Sequence, residues 1–372
     1  MKKYGIIVVL FFVILALFAG LTFFTPAKAF SENENRYLAQ MPELTVDSLL
    51  SGEFQEDLSD FLSDQIPFRD FWIETNTNIK KWMGKQEING VYLGSDGYYF
   101  QQFTDDSYSE SRKTAIFALL EQFAQKQAAG VHVMMVPTPG VVLSDKLPAN
   151  APMYNADSVW EEMIAVVPSC NVIDLRDSFR TAAADTQLYY RTDHHWTTQG
   201  AYVAYAAYCE AMGLTAKSME DFGLEPVSES FYGTIYSKTL DPAAGAETIC
   251  AAKNLPAVTV TFDDGETSDS IYAEEFLSQK DQYAYFFGGN WGKVDIQTQA
   301  DNGKTLLVIK DSFANSFVPY LLEDYARIIM LDLRYYGGSG DAVMTEEAVT
   351  EVLFLYEMTN LLTDTGIIKL SR

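Results

Sequence analysis

Four short apolar runs, separated by helical stretches, restrict what this chain can fold into more than any other feature. They are Val131–Val136, Leu306–Ile309, Arg327–Leu331 and Val352–Tyr356. Each is too short for a buried helix and rich in branched aliphatic residues or Met, the habit of a strand covered on both faces. Asn171–Leu175 is a weaker fifth run. Between them lie the amphipathic stretches Lys113–Gln127, Val159–Val166 and Thr198–Met212. In the last, Tyr202, Tyr205, Ala206, Cys209 and Met212 share one face. Strands alternating with helices predict an α/β fold, a three-layer parallel sheet with helices on both sides. Such sheets gather functional residues beyond the carboxyl ends of their strands.

The 372 residues exceed what one such domain needs. Lys2 and Lys3 lead into an uncharged apolar run from Gly5 to Phe24. At ~1.5 Å per residue that run can cross a hydrocarbon core of ~30 Å. Ala27-Lys28-Ala29 follows it and has the small-residue pattern of a cleavage site. The length favours a membrane anchor and the cleavage pattern a signal peptide, so residues 1–29 are read as one or the other. Either reading places the remaining chain outside the cytoplasm. Residues 30–104 are expected to form a helical and hairpin segment. Leu49, Phe54, Leu58, Phe61 and Leu62 repeat at helical spacing within residues 44–83. Asn89-Gly90 and Asp96-Gly97 then punctuate short aromatic runs, a hairpin signal. The α/β domain is expected over residues 105–372, with an irregular insertion at about 213–304 that holds short strand candidates such as Val258–Phe262.

Charge narrows the partners. There are 51 acidic and 26 basic residues, a net charge of -25. Nucleic acid is excluded as a partner, because neutralising phosphates takes clustered Lys and Arg. Cys170, Cys209 and Cys250 show no C-x-x-C spacing, so no zinc or redox motif is expected. Cys209 reads as a buried thiol, and a Cys170–Cys250 bridge stays open. The 22 tyrosines and 5 tryptophans suit stacking on sugar faces, although core packing accounts for most of them.

Three histidines carry the chemistry: His132, His194 and His195. His132 lies inside an apolar run and reads as a core residue. The adjacent pair stands in Arg191-Thr192-Asp193-His194-His195-Trp196, between a short apolar run and a helix. In an extended segment Asp193 and His195 point the same way. The carboxylate can then hold one ring nitrogen of His195 and leave the other as a base. His194 is expected to point the opposite way, into structure. Asp193, His194 and His195 could also supply some ligands of a metal, but no further cluster completes a set, and no cofactor is expected. Ser312 is the candidate nucleophile, where the run Leu306–Ile309 ends in Lys310-Asp311-Ser312-Phe313 before a helix. Its backbone N–H would open that helix and could hold an oxyanion. A plain N-cap role explains the same serine. Pro319 is expected to kink the helix. Arg334-Tyr335-Tyr336 would share the edge with Ser312, lining a cleft or packing as an ordinary loop.

Asp193-His194-His195-Trp196 matches the motif that names the DHHW protein family. Asp-x-His-Trp before a helix is also similar to the alginate O-acetyltransferase (AlgJ/AlgX-like) type, which is SGNH-hydrolase-like. The resemblance extends to Ser31–Leu38, Asp64–Arg69, Asn89–Gly94 and Lys310–Ser316. It implies a triad of Asp193, His195 and Ser312, and transfer of an acetyl group to hydroxyls of a polysaccharide at the cell surface. A carbohydrate acetylesterase or a glycan-binding module without catalysis is the alternative. It also implies a membrane-bound O-acyltransferase partner supplying the acetyl group. Lys310 departs from the glycine expected before Asp-Ser. Asn315 and Asn360 are possible oxyanion donors that no motif assigns.

Overall fold

The computed structural model describes residues 2–371. The expected runs form strands, and further strands join them: β1 (Gly130–Val136), β2 (Asn171–Asp174), β3 (Thr259–Phe262), β4 (Thr267–Ser268), β5 (Lys293–Gln297), β6 (Thr305–Lys310), β7 (Arg327–Leu331) and β8 (Glu351–Glu357). They make one eight-stranded sheet in the order β4-β3-β5-β7-β6-β8-β1-β2. β7, β6, β8, β1 and β2 run parallel. β5, β3 and β4 continue the sheet in antiparallel pairings. The sheet is therefore mixed, not purely parallel. The added strands come from the region expected to be irregular. They are short and carry polar residues, such as Lys293 and Asp295 in β5, because they lie toward the edge.

Side chains alternate across the sheet, and both faces are buried. Val131, Val133 and Met135 of β1 join one apolar cluster, and Met134 and Val136 join the other. Leu307 and Ile309 of β6 face the first, and Leu306 and Val308 the second. Helices Glu110–Lys126 and Ala156–Val166 bury Phe117, Phe123 and Trp160 in the first cluster. Helix Thr198–Met212 buries Tyr205, Tyr208 and Cys209 in the second. Cys170, Cys209 and Cys250 are all free thiols, so no Cys170–Cys250 bridge forms. His132 is half-buried on β1, with Nδ1 3.1 Å from the Asn171 amide. Burial holds its imidazole below the usual range, with Glu351 pulling the other way.

The chain divides into two compact units. One comprises residues up to Asn89 with Tyr236–Ala244, and the other Gly90–Ile235 with Gly245–Arg372. The first holds the apolar helix Lys2–Phe24 and three helices, Val46–Ser51, Glu53–Asp64 and Arg69–Trp82. The expected helical stretch 44–83 thus breaks twice, at left-handed Gly52 and at Gln65–Phe68, where Pro67 removes a donor. Helix Arg69–Trp82 holds the later segment of its unit. Thr77 donates to the Thr239 carbonyl (2.6 Å), and Lys81 pairs with Asp241 (2.7 Å). In the second unit, Val91–Leu93 and Tyr99–Gln101 pair antiparallel across a turn with Asp96 and Gly97 both left-handed. That is the turn chemistry Asp-Gly favours.

Candidate active site

Residues Tyr190 to His195 form a tight loop closed by an antiparallel bridge between Tyr189 and Trp196. A buried carboxylate holds this loop in shape. Glu247 accepts from Arg191 N (2.7 Å), Thr192 N (2.8 Å), Thr192 Oγ1 (2.6 Å) and Gln187 Nε2 (3.0 Å). Four donors on one buried carboxylate offset its desolvation. Sequence reasoning missed Glu247, because it lies 55 residues beyond Thr192 with no motif around it.

Asp193 and His195 meet, but not as neighbours on an extended strand. The loop curls so that Asp193 Oδ1 accepts both the His195 backbone N–H (2.9 Å) and its ring Nδ1 (2.6 Å). This is the local side-chain-to-backbone closure typical of Asp in turns. The same curl overturns the expectation for His194. Its ring lies beside that of His195, 3.9 Å between centroids, with Nδ1 2.8 Å from Thr234 Oγ1 and 3.5 Å from Asp193 Oδ1. Asp193 Oδ2 accepts Thr234 N (2.7 Å) and Thr234 Oγ1 (2.9 Å). Burial by itself would raise the Asp193 carboxyl. The neighbouring imidazoles and the bonds from His195 and Thr234 outweigh it and hold the group well below the usual carboxylate range.

The His195 ring is clamped. Tyr283 stacks on it at 3.9 Å and 13° between planes, and Phe313 packs at 4.9 Å. Its free nitrogen, Nε2, then lies 2.7 Å from Ser312 Oγ. The structure thus brings Asp193, His195 and Ser312 into one hydrogen-bonded line, with His195 and Ser312 117 residues apart in sequence. Tyr283 has no sequence signal of its own. Its hydroxyl bonds Ser316 Oγ at 2.9 Å, which explains why a polar ring tolerates full burial there.

Ser312 sits in the turn just past β6, at the carboxyl edge. Asp311 fixes that turn: Oδ1 accepts Phe313 N (2.9 Å), and Oδ2 accepts Glu357 N (2.9 Å) and Asn360 Nδ2 (2.8 Å). Trp196 ties it to the histidine loop, its Nε1 3.1 Å from the Phe313 carbonyl and 2.8 Å from Ser316 Oγ. Among the described residues the Ser312 N–H has no acceptor, so it is available to an oxyanion. Asn360 donates one amide N–H to Asp311. Asn315 donates to the Gly289 carbonyl and to Asn290 Oδ1, each at 3.2 Å. The Asn315 amide thus has both N–H groups engaged, and the Asn360 amide one of its two.

Lys310, in place of glycine, is fully buried and donates to Asn315 Oδ1 (2.6 Å) and Asn290 Oδ1 (3.3 Å). Burial pushes its ammonium down to about 8, with Asp332 opposing. Arg334 makes a two-pronged pair with Asp332 (2.9 and 2.6 Å), and Tyr335 is exposed. The helix after Ser312, Ala314–Phe317, tightens to a 3₁₀ turn at Val318–Leu321, where Pro319 interrupts it. Asp193, His194 and His195 place possible ligand atoms within 4.8 Å of one another. The Asp193 oxygen nearest both rings is already bonded to His195.

Glu357, at the end of β8, shows how this edge responds to pH. Burial pushes its carboxyl up to about 7 despite bonds from Thr359 and Asn360, and Oε1 has no partner. A carboxyl raised in the fold contributes most below its unfolded value of about 4.3 and loses that contribution as pH rises through the folded value. Relative to Glu357→Gln, the wild-type unfolding free energy should fall by about 3 kcal/mol between pH 4 and pH 8. Urea unfolding of both proteins at the two pH values checks this. An unchanged difference would mean that the fold does not shift the Glu357 carboxyl from its unfolded value.

Two solved structures share the fold at low identity. A DHHW family protein from Eubacterium siraeum superposes with a TM-score of 0.65 and 24% identity, over 76% of this chain and 96% of that one. Bacillus cereus PatB1, solved with a sulfonyl adduct, gives 0.63 and 22%, over 76% and 98%. In sequence, 176 residues are 26% identical to the probable alginate O-acetylase AlgJ of Pseudomonas putida. That match covers 44% of this chain and 45% of the relative, so it spans less than half of either. The DHHW protein family model matches residues 81–331, more than half of the chain and including both the Asp193–Trp196 run and Ser312. The chain therefore belongs to the DHHW protein family.

Proposed function

We propose that this protein is an extracytoplasmic O-acetyltransferase acting on hydroxyls of a cell-surface or secreted polysaccharide, with Ser312, His195 and Asp193 as its catalytic triad. One observation carries the reading: His195 Nε2 lies 2.7 Å from Ser312 Oγ while Nδ1 lies 2.6 Å from a buried, ionised Asp193. His195 Nε2 takes the Ser312 proton as Oγ attacks the acetyl carbonyl of the donor. The Ser312 N–H steadies the oxyanion, and the donor leaves with the proton from His195. A sugar hydroxyl then gives its proton to His195 and attacks the acetyl-serine, releasing the acetylated polymer and restoring the serine. Asp193 fixes the tautomer and steadies the imidazolium throughout. Similarity to a probable alginate O-acetylase supports the acetyl group and the polysaccharide class. Water in place of the sugar hydroxyl would make the protein an acetylesterase; the same triad serves both.

The catalytic domain is proposed to span residues 105–372, arranged as the three layers of an SGNH-like fold. The apolar helix Lys2–Phe24 is long and apolar enough to cross a membrane. It supports export as a signal peptide or as an anchor, and a membrane-bound O-acyltransferase would supply acetyl groups from within the bilayer. Acetyl release from a chromogenic acetyl ester tests the chemistry. Wild type should turn over, and Ser312→Ala and His195→Ala should each lose several orders of magnitude. Equal rates in all three would remove the serine mechanism. Glycan binding that survives with no acetyl turnover in any of them would establish the binding module instead.

A further inference from the structure

Two motifs of the sequence, Ser31–Leu38 and Asp64–Arg69, belong to the first unit and are not used by the proposed triad. Within the first unit they meet as an ion network. Arg36 pairs with Asp64 (2.5 Å) and Glu34 (3.1 Å), and Arg69 pairs with Glu34 (2.5 Å) and Asp64 (3.5 Å). Ala39 N and Gln65 add bonds at 2.8 and 3.0 Å that pin the same turn. This frame holds Phe68 in a left-handed conformation, φ 61°. A bulky non-glycine residue there is strained, and such strain persists only where surrounding structure enforces it.

The enforced turn presents apolar rings outward. Phe68 is 71% exposed, Phe71 57% and Trp72 42%. Trp72 is oriented by a bond from Nε1 to the Pro67 carbonyl (3.1 Å), and Phe71 packs edge-on against it. The cluster adjoins the apolar helix: Trp72 lies 6.1 Å from Phe18, and Phe61 lies 6.5 Å from Phe23. Phe18 stands six residues before the end of that helix at Phe24, so at ~1.5 Å per residue the Trp72 contact lies about 9 Å inside its outer end. If the helix spans a bilayer of ~30 Å, this depth falls within the outer leaflet, below the interfacial level where Trp concentrates.

We propose that the Phe68–Trp72 turn is a second membrane contact, inserted in the outer leaflet beside the spanning helix Lys2–Phe24. The partner it fits is lipid, because the exposed rings continue the lipid-facing surface of that helix. The ion network then serves as the rigid mount that keeps the turn at membrane depth. This rests on the proposed membrane anchoring, and the test separates the two. The full chain is reconstituted in phosphatidylcholine vesicles, with and without brominated acyl chains, beside Trp72→Phe and the double variant Phe68→Ser/Phe71→Ser. Flotation with the vesicles reports anchoring, and tryptophan quenching reports insertion. Flotation of all three proteins, with bromine quenching in wild type that falls sharply in Trp72→Phe and weakens in the double variant, is the expected result. Flotation with equal quenching in wild type and Trp72→Phe would overturn the insertion while leaving the anchor intact. Protein that stays at the bottom of the gradient would overturn the anchor and the insertion together.

Discussion

Asp193→Asn should lower acetyl-ester turnover about ten-thousand-fold, with the fold intact. The reason lies in the donors around the carboxylate. Oδ1 accepts His195 N and Nδ1, and Oδ2 accepts Thr234 N and Oγ1. An amide has one acceptor oxygen, so its NH₂ must face donors on one side. If the NH₂ faces His195, Nδ1 must become the acceptor and Nε2 carries the proton, leaving no base toward Ser312. If it faces Thr234, the backbone N–H loses its acceptor and the loop shifts. Either outcome also removes the negative charge that steadies the imidazolium. Steady-state kinetics on a chromogenic ester, with circular dichroism to verify folding, check the prediction. A loss below tenfold would mean that Asp193 orients nothing of catalytic consequence. The depressed Asp193 pKa adds a pH expectation. Its contribution to stability is present above the unfolded value of about 3.9 and lost only as pH falls through the lower folded value.

Gly233→Ala should cost about a hundredfold in turnover and about 1–3 kcal/mol in stability. A Cβ at this position would overlap Asp193 Cβ and Oδ2 and would lie 2.7 Å from Asp193 Cα. The neighbouring atoms are packed backbone and a buried carboxylate, not the end of a flexible side chain. Asp193 must move, and His195 moves with it, because both its backbone and its ring are bonded to that carboxylate. The loss should appear in kcat more than in KM, since the change misaligns the base without touching the acceptor. Kinetics and urea unfolding of the variant test both halves. Wild-type kcat would show that the loop absorbs the methyl group elsewhere.

Much of the sheet was legible, because β1, β6, β7 and β8 are buried on both faces and therefore written as unbroken apolar runs. β3 was legible as the short apolar candidate Val258–Phe262, but β4 and β5 were not, since short strands toward an edge carry polar residues that look like loop. The proximity of Asp193, His195 and Ser312 was legible through motif and strand-end position, yet the stated geometry was not. The sequence suggests an extended segment, whereas the loop curls and brings His194 to the same carboxylate. Glu247, Thr234, Gly233 and Tyr283 escaped notice for a common reason. Each acts by packing or bonding across long sequence separations, and neither spacing nor composition marks such contacts. The break at Gln65–Phe68 carries a visible signal in Pro67, which a helical reading of residues 44–83 passes over.

The most direct test of the serine mechanism is a mass measurement. The full chain is mixed with an activated acetyl ester, quenched in acid within the first turnover, digested and analysed for acetylated peptides. The proposed mechanism predicts one acetyl group on the peptide carrying Ser312, absent in Ser312→Ala and released when a sugar acceptor is added. Rapid ester turnover with no acetyl on Ser312 at any time, or the same acetylation in Ser312→Ala, would contradict it.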